Sequence, residues 1–188
     1  MTTTAPTQTA TSTWNIDASH STIEFAAKHM MITTVKGRLA DAKGTITIDE
    51  ANPDRSSAVV EFDAASLDTR SEQRDQHLRS ADFLDVEKYP TISFKSRRVE
   101  GARNEPGTSF KVIGDLTVHG VTKEVTLDAV YEGAGKDPWG GSRVSFSAAT
   151  KIDRREFGLV WNAALETGGL LVSNDIKVQI EVQAIRAA

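Results

Sequence analysis

The sequence predicts an all-β domain: an eight-stranded antiparallel barrel with one short helical insertion between strands 3 and 4. Three observations carry this. Apolar residues recur at every second position in most segments, the period of half-buried antiparallel strands. Turn-forming stretches such as "NPDRS", "GARNEPG" and "GAGKDPWGG" separate these segments. One stretch, "TRSEQRDQHLRSADFLDVEKYP", abandons the alternation for helical spacing.

The first strand, about residues 21–30, places Ile23, Phe25, Ala27 and His29 on one face, against Thr22, Glu24 and Lys28. In "KGRLADAKGTITIDE" Leu39 has odd parity while Ile46 and Ile48 are even. One bent strand over 35–49 therefore needs a bulge, for which Gly44 is the natural place. The third strand, 57–66, turns Ala58, Val60 and Phe62 one way and Glu61 and Asp63 the other, and Leu67 follows it. Strands over 91–99, 109–118, 122–131, 142–152 and 175–185 complete the count. Their apolar faces are Ile92 and Phe94; Phe110, Val112, Leu116 and Val118; Val125, Leu127, Ala129 and Tyr131; Val144, Phe146 and Ala148; and Ile176, Val178, Ile180 and Val182. A meander of eight such strands removes its edges by closing into a barrel, with a two-sheet sandwich as the alternative. A barrel of this size is filled by its own side chains or holds one small ligand.

The helical insertion begins with Thr69 and Glu72 at capping-box spacing and ends before Pro90. The spacing predicts a helix over 71–79 and a further turn over 82–87. Within "RDQHL", Asp75 and His77 lie about 200° apart around a helix axis, so Asp75 cannot readily orient His77 for catalysis. Arg74, His77 and Leu78 share a side that faces the barrel, and Asp75 and Arg79 form an i, i+4 pair elsewhere. Arg74 and His77 are expected to anchor the helix across the barrel mouth or to touch a ligand there. The connection from 154 to 174 carries Phe157 and Trp161 and is apolar enough for a lid or plug.

Composition narrows the function. The chain has 188 residues, 39% apolar and 26% charged, enough for one domain with one core. A net charge of −4 with no basic stripe argues against nucleic acid. The absence of cysteine excludes disulfides, thiolate zinc sites and a cysteine nucleophile. No segment has the apolar length of a membrane helix, and no G-x-S-x-G, P-loop or dinucleotide fingerprint occurs. The polar start "MTTTAPTQTATST" has neither a positive nor an apolar region of a secretory signal. Residues 1–12 are therefore expected to be a disordered tail and 13–188 a single domain. His29 faces inward, His119 sits in a turn before Gly120, His20 precedes the first strand, and no histidine spacing announces a metal.

Five ordered blocks then carry a resemblance: "WNIDASHSTIEFAAKHMM", "RDQHLRSADFLDVEKYPTISFKS", "VIGDLTVHGVTKEVTL", "TKIDRREFGL" and "VSNDIKVQIEVQA". Over about residues 14–185 the chain resembles the YceI-like family of lipocalin-like proteins that bind polyisoprenoids or other long amphiphilic lipids. The resemblance implies a barrel around a long apolar pocket, a bound lipid such as an isoprenoid quinone in place of any cofactor or metal, no catalysis, and a possible homodimer. Many members carry a secretory signal; this sequence opens without one, so a cytoplasmic protein is expected. The pocket wall would comprise Phe25, Phe62, Leu67, Phe94, Phe110, Leu116 and Phe146. Its mouth would carry Arg74, His77, Leu78 and Phe83, with His29 as an inner polar contact and Phe157 and Trp161 gating entry. The competing readings are an enzyme acting on an amphiphile through His77 or Asp75, helped by Asp153 or Glu166, and a haem-handling module ligated by His29 or His77.

Overall fold

The structure, a computed structural model, describes residues 11–166 and 168–187. It contains ten strand segments: β1 (Thr11–Ile16), β2 (Thr22–His29), β3 (Thr33–Leu39), β4 (Lys43–Asp49), β5 (Ser57–Asp63), β6 (Thr91–Glu100), β7 (Ser109–Val118), β8 (Val121–Lys136), β9 (Ser142–Asp153) and β10 (Asp175–Arg186). They form one antiparallel circuit of eight strands. β1 and β2 are two halves of one strand: both pair with β10, while β1 also pairs with β4 and β2 with β3. β3 and β4 are likewise two halves of a second strand. The remaining strands pair in sequence order from β4 round to β10, which closes the barrel and excludes an open sandwich.

The two interruptions have local causes. Between β1 and β2, Asp17 caps a 3-10 turn (Ala18–His20), accepting the Ser19 N–H at 3.1 Å. Between β3 and β4 the chain breaks at residues 40–42, where Asp41 adopts a positive φ of 57°. This break, rather than a bulge at Gly44, produces the parity change between Leu39 and Ile46. Gly44 pairs in unbroken register with Val60. It must be glycine for another reason: a Cβ there would lie 2.1 Å from the Val59 carbonyl oxygen. The bulges fall elsewhere, between Ser96 and Arg98 on β6 and between Tyr131 and Gly133 on β8.

Thr11 and Ser12, expected in the tail, begin β1; residues 1–10 of that tail lie outside the described residues. β1 escapes a reading by hydrophobic period because its inward face starts with Ser12. That serine is buried, and its hydroxyl accepts the Trp14 indole N–H at 2.8 Å.

The helical insertion lies between β5 and β6, the third and fourth strands of the circuit. Helix α1 (Glu72–Arg79) starts from Ser71, not from a Thr69–Glu72 capping box. Thr69 is engaged instead by Asp75, whose carboxylate accepts both its N–H (2.9 Å) and its hydroxyl (2.5 Å). Asp75 is consequently buried and makes no ion pair with Arg79, which donates to the carbonyls of Ala65 and Leu67. Turns fill residues 81–84 and 86–88, where the sequence predicts a further turn over 82–87.

Two packed clusters lie toward the two ends of the barrel. At the helix end Ala64, Leu67, Leu84, Ile92, Val118 and Phe157 are buried together; at the other end Trp14, Val144 and Ala184 are packed with Ile46, Ile48, Tyr131 and Phe146.

Candidate functional site

Between the clusters the barrel is hollow. A cavity of ≈ 900 Å³ runs along it, lined by the inward faces of all eight strands of the circuit. The wall side chains record this directly. On β5, Ala58, Val60 and Phe62, and on β10, Ile176, Val178 and Ile180, face inward yet are only half-buried, where a filled interior would bury them.

The residues assigned to the site from sequence can now be placed. Phe25, Phe62, Phe94, Phe110 and Phe146 lie on the cavity wall, with Leu67, Leu78 and Leu116. Gly37, opposite Phe25, leaves room for its ring: a Cβ would stand 2.3 Å from Phe25 Cζ. His29, Arg74, His77, Phe83 and Trp161 also line the cavity, all toward the helix end. Phe157 does not. It is 1% exposed and belongs to the packed cluster, because it sits in a 3-10 turn (Arg154–Phe157) that folds back under Leu84 and Val118. It therefore seals that end rather than gating it.

At the helix end three rings meet. His77 packs edge-on against Phe83 and Trp161, at centroid distances of 5.1 and 4.7 Å, and Phe83 and Trp161 are 5.3 Å apart. His77 Nε2 pairs with Asp82 at 2.9 Å. Arg74 donates from Nε to the Thr69 hydroxyl (2.7 Å) and from Nη2 to the Thr69 carbonyl (2.8 Å). Both side chains thus bond within the insertion itself, not to a strand across the barrel mouth. Asp75, turned away into its bonds with Thr69, is not available to His77. Asp153, one of the two tertiary partners considered for catalysis beside Glu166, is instead engaged by Arg155, whose cation holds its carboxyl down to about 2.

The 154–174 connection is tied down along its length. Asn162 bonds Val172 through both its carbonyl and its amide, Ala164 bridges Leu170, and Val172 bridges His29 of β2. Its base is Arg154, which the sequence reading passed over. Arg154 is 3% exposed and lines the cavity. Its Nε donates to the Ser173 carbonyl (2.9 Å) and its Nη1 to the carbonyls of Leu159 (2.6 Å) and Trp161 (2.8 Å). A signal for it existed: Arg154 continues the even parity of Val144, Phe146, Ala148, Thr150 and Ile152, the inward face of β9.

At the opposite end of β9, Arg143 joins two carboxylates. Its Nη1 contacts Asp17 (2.7 Å) and its Nε contacts Asp137 (2.9 Å). Hydrogen bonds from Ser19 and Arg143 hold Asp17 well below the usual carboxylate range, and Asp137 is lowered first by Arg143. Among the described residues no three His, Cys, Asp or Glu side chains converge as a metal-binding group, and no helix is long and apolar enough to cross a membrane.

Comparison with known proteins agrees with this architecture. The family model described as YceI-like domain matches residues 14–184. A UPF0312 protein of Vibrio cholerae is 42% identical over 141 residues, covering 75% of this chain and 73% of that protein. A UPF0312 protein of Serratia proteamaculans is 39% identical over 168 residues, covering 89% and 82%. Among solved structures, the Campylobacter jejuni YCEI protein superposes with a TM-score of 0.72 at 33% identity, over 86% of this chain and 90% of that one. A polyisoprenoid binding domain from Saccharophagus degradans shares the fold, with a TM-score of 0.69 at 15% identity over 93% and 98%.

Proposed function

The chain belongs to the YceI-like domain family, and from that premise we propose that it binds a long-chain amphiphile, foremost a polyisoprenoid such as an isoprenoid quinone, without transforming it. Storage and transport are both served by such binding. The observation that carries the reading is the wall of apolar side chains, many only half-buried, around ≈ 900 Å³, at the upper end of the range of small-molecule pockets. The polyisoprenoid binding domain of Saccharophagus degradans, which has the same fold, supports it.

The energetics favour occupancy. At about 24 cal/mol per Å³ of cavity, a dry void of this size would cost on the order of 20 kcal/mol, more than the ~5–15 kcal/mol that holds a domain together. The interior is therefore filled by water or by a ligand, and an apolar tail is the occupant that gains from this wall. A hydrocarbon tail gains roughly 25 cal/mol for each Å² of apolar surface withdrawn from water, less the cost of ordering it. Bond-making chemistry is not needed for tight retention.

Organic extraction of the purified protein followed by mass spectrometry, with native mass spectrometry alongside, tests the reading. A stoichiometric long-chain lipid is the expected result. A protein that is empty and also refuses added quinones and polyprenols would refute it. Phe62→Glu, which sets a charge on the wall, should leave the circular dichroism spectrum intact and abolish uptake. Full uptake by that variant would show that the tail lies elsewhere.

A further inference from the structure

Arg154 is a buried cation with no ion-pair partner among the described residues. Three of its five N–H groups are spent on the carbonyls of Ser173, Leu159 and Trp161. The two on Nη2 have no acceptor; among the described residues this is the one buried side-chain nitrogen or oxygen atom left unsatisfied. Its sequence neighbour Asp153 is already held by Arg155. Burial pulls the Arg154 pKa below the usual arginine value; the Asp153 charge opposes this and the Arg155 charge adds to it. A guanidinium does not escape by losing its proton, so the arrangement carries the cost of a desolvated charge and two unmade hydrogen bonds.

The surroundings do not relieve that cost. The charged side chains among the cavity-lining residues at this end are Lys28, Arg74 and Arg154; the single acid in the lining, Glu50, belongs to the β4–β5 turn at the opposite end. The cavity therefore has an apolar shaft and an end where three cationic side chains meet no acid of the lining, with both unpaired N–H groups of Arg154 on one nitrogen, Nη2. A neutral carbonyl or hydroxyl would accept a hydrogen bond from Nη2 and leave the charge unbalanced. A carboxylate or phosphate oxygen supplies both an acceptor and the missing negative charge.

We propose that Arg154 is the head-group anchor of the cavity and selects amphiphiles with an anionic oxygen head, a carboxylate or phosphate, over neutral ones with the same tail. This rests on the lipid-binding reading above and sharpens it against the neutral quinone. The same guanidinium holds the carbonyls of Leu159 and Trp161, so the head group and the 154–174 connection share one anchor.

The test is a head-group series on one tail: geranylgeranyl phosphate, geranylgeranoic acid, its methyl ester and geranylgeraniol, titrated calorimetrically into delipidated full-length protein below their aggregation limits. The phosphate and the acid should bind at least about tenfold more tightly than the ester and the alcohol, equivalent to ~1.4 kcal/mol. Arg154→Met should erase that preference: whatever the absolute affinities, the four heads should then bind within about twofold of one another. Tight binding by the phosphate alone would assign the site to phosphate heads, and equal binding by the acid would support the wider oxyanion class. Equal affinity for all four heads, or a preference that survives in Arg154→Met, would overturn the anchor and leave the apolar tube standing. No binding of any of the four would overturn the tube itself. Should Arg154→Met fail to fold, Arg154→Gln takes its place and is read by the same two outcomes.

Discussion

The barrel end around Phe157 and the wall around Phe110 use the same side chain in two ways. Phe157 is 1% exposed and packed among Ala64, Leu84 and Val118. Phe110 is half-buried, touches Phe146 edge-on at a 6.1 Å centroid distance and otherwise faces the cavity. One phenylalanine stabilises the fold by filling space; the other shapes a space for something else to fill. Stability and binding are thereby assigned to different parts of one interior, and substitutions should separate them.

The largest separation is expected from truncation. Phe157→Ala should cost about 3–5 kcal/mol in urea unfolding, since it opens a void in a close-packed cluster. Phe110→Ala, whose ring is already exposed to the cavity, should cost no more than ~1 kcal/mol while weakening lipid uptake. Equal losses of stability would mean that the wall is as tightly packed as the end. Enlargement should run the other way with a smaller effect. Ala64→Leu, at a position 1% exposed, should cost about 1–3 kcal/mol by overpacking. Ala148→Leu, on the wall, should stay within ~0.5 kcal/mol of the parent and reduce lipid affinity. A strong destabilisation at Ala148 would break the contrast.

The smallest effect concerns the other barrel end, where Arg143 pairs with Asp17 and Asp137. Both carboxyls have folded-state pKa values below their unfolded value of 3.8. Their contribution is therefore complete above about pH 4 and lost as the pH falls further, through the folded values. Thermal melts from pH 6 to pH 2 should show the parent losing this contribution below pH 4. Arg143→Met should melt a few degrees lower at neutral pH, with the gap narrowing in acid and no change in lipid uptake. A gap that widened in acid would contradict the assigned direction of the shifts.

The wall was legible in the sequence because a strand's period of two, read with polar residues opposite, fixes which side chains face inward. Phe25, Phe62, Phe94, Phe110 and Phe146 follow from parity alone. What parity could not convey was whether they meet one another or stand around a space, since both arrangements use the same residues. Phe157 was misplaced because it lies in a 3-10 turn, where strand parity stops. Thr69 looked like a helix cap by spacing, but its hydroxyl bonds to Asp75 from within the helix. Arg154 was hidden by its charge: an arginine after a strand reads as solvated surface until the fold buries it.

Strand β10 lends one edge to both β1 and β2, with Trp14 opposite Arg186 and Ile23 opposite Ile180. The first and last strands of the barrel thus form its seam. During synthesis β1 and β2 emerge first and must wait, one edge unpaired, until the last strand leaves the ribosome. Contacts so distant in sequence form slowly, and an unpaired edge invites other strands. The nascent chain is most vulnerable to aggregation in that interval, and shortening the C-terminus within β10 would make the interval permanent.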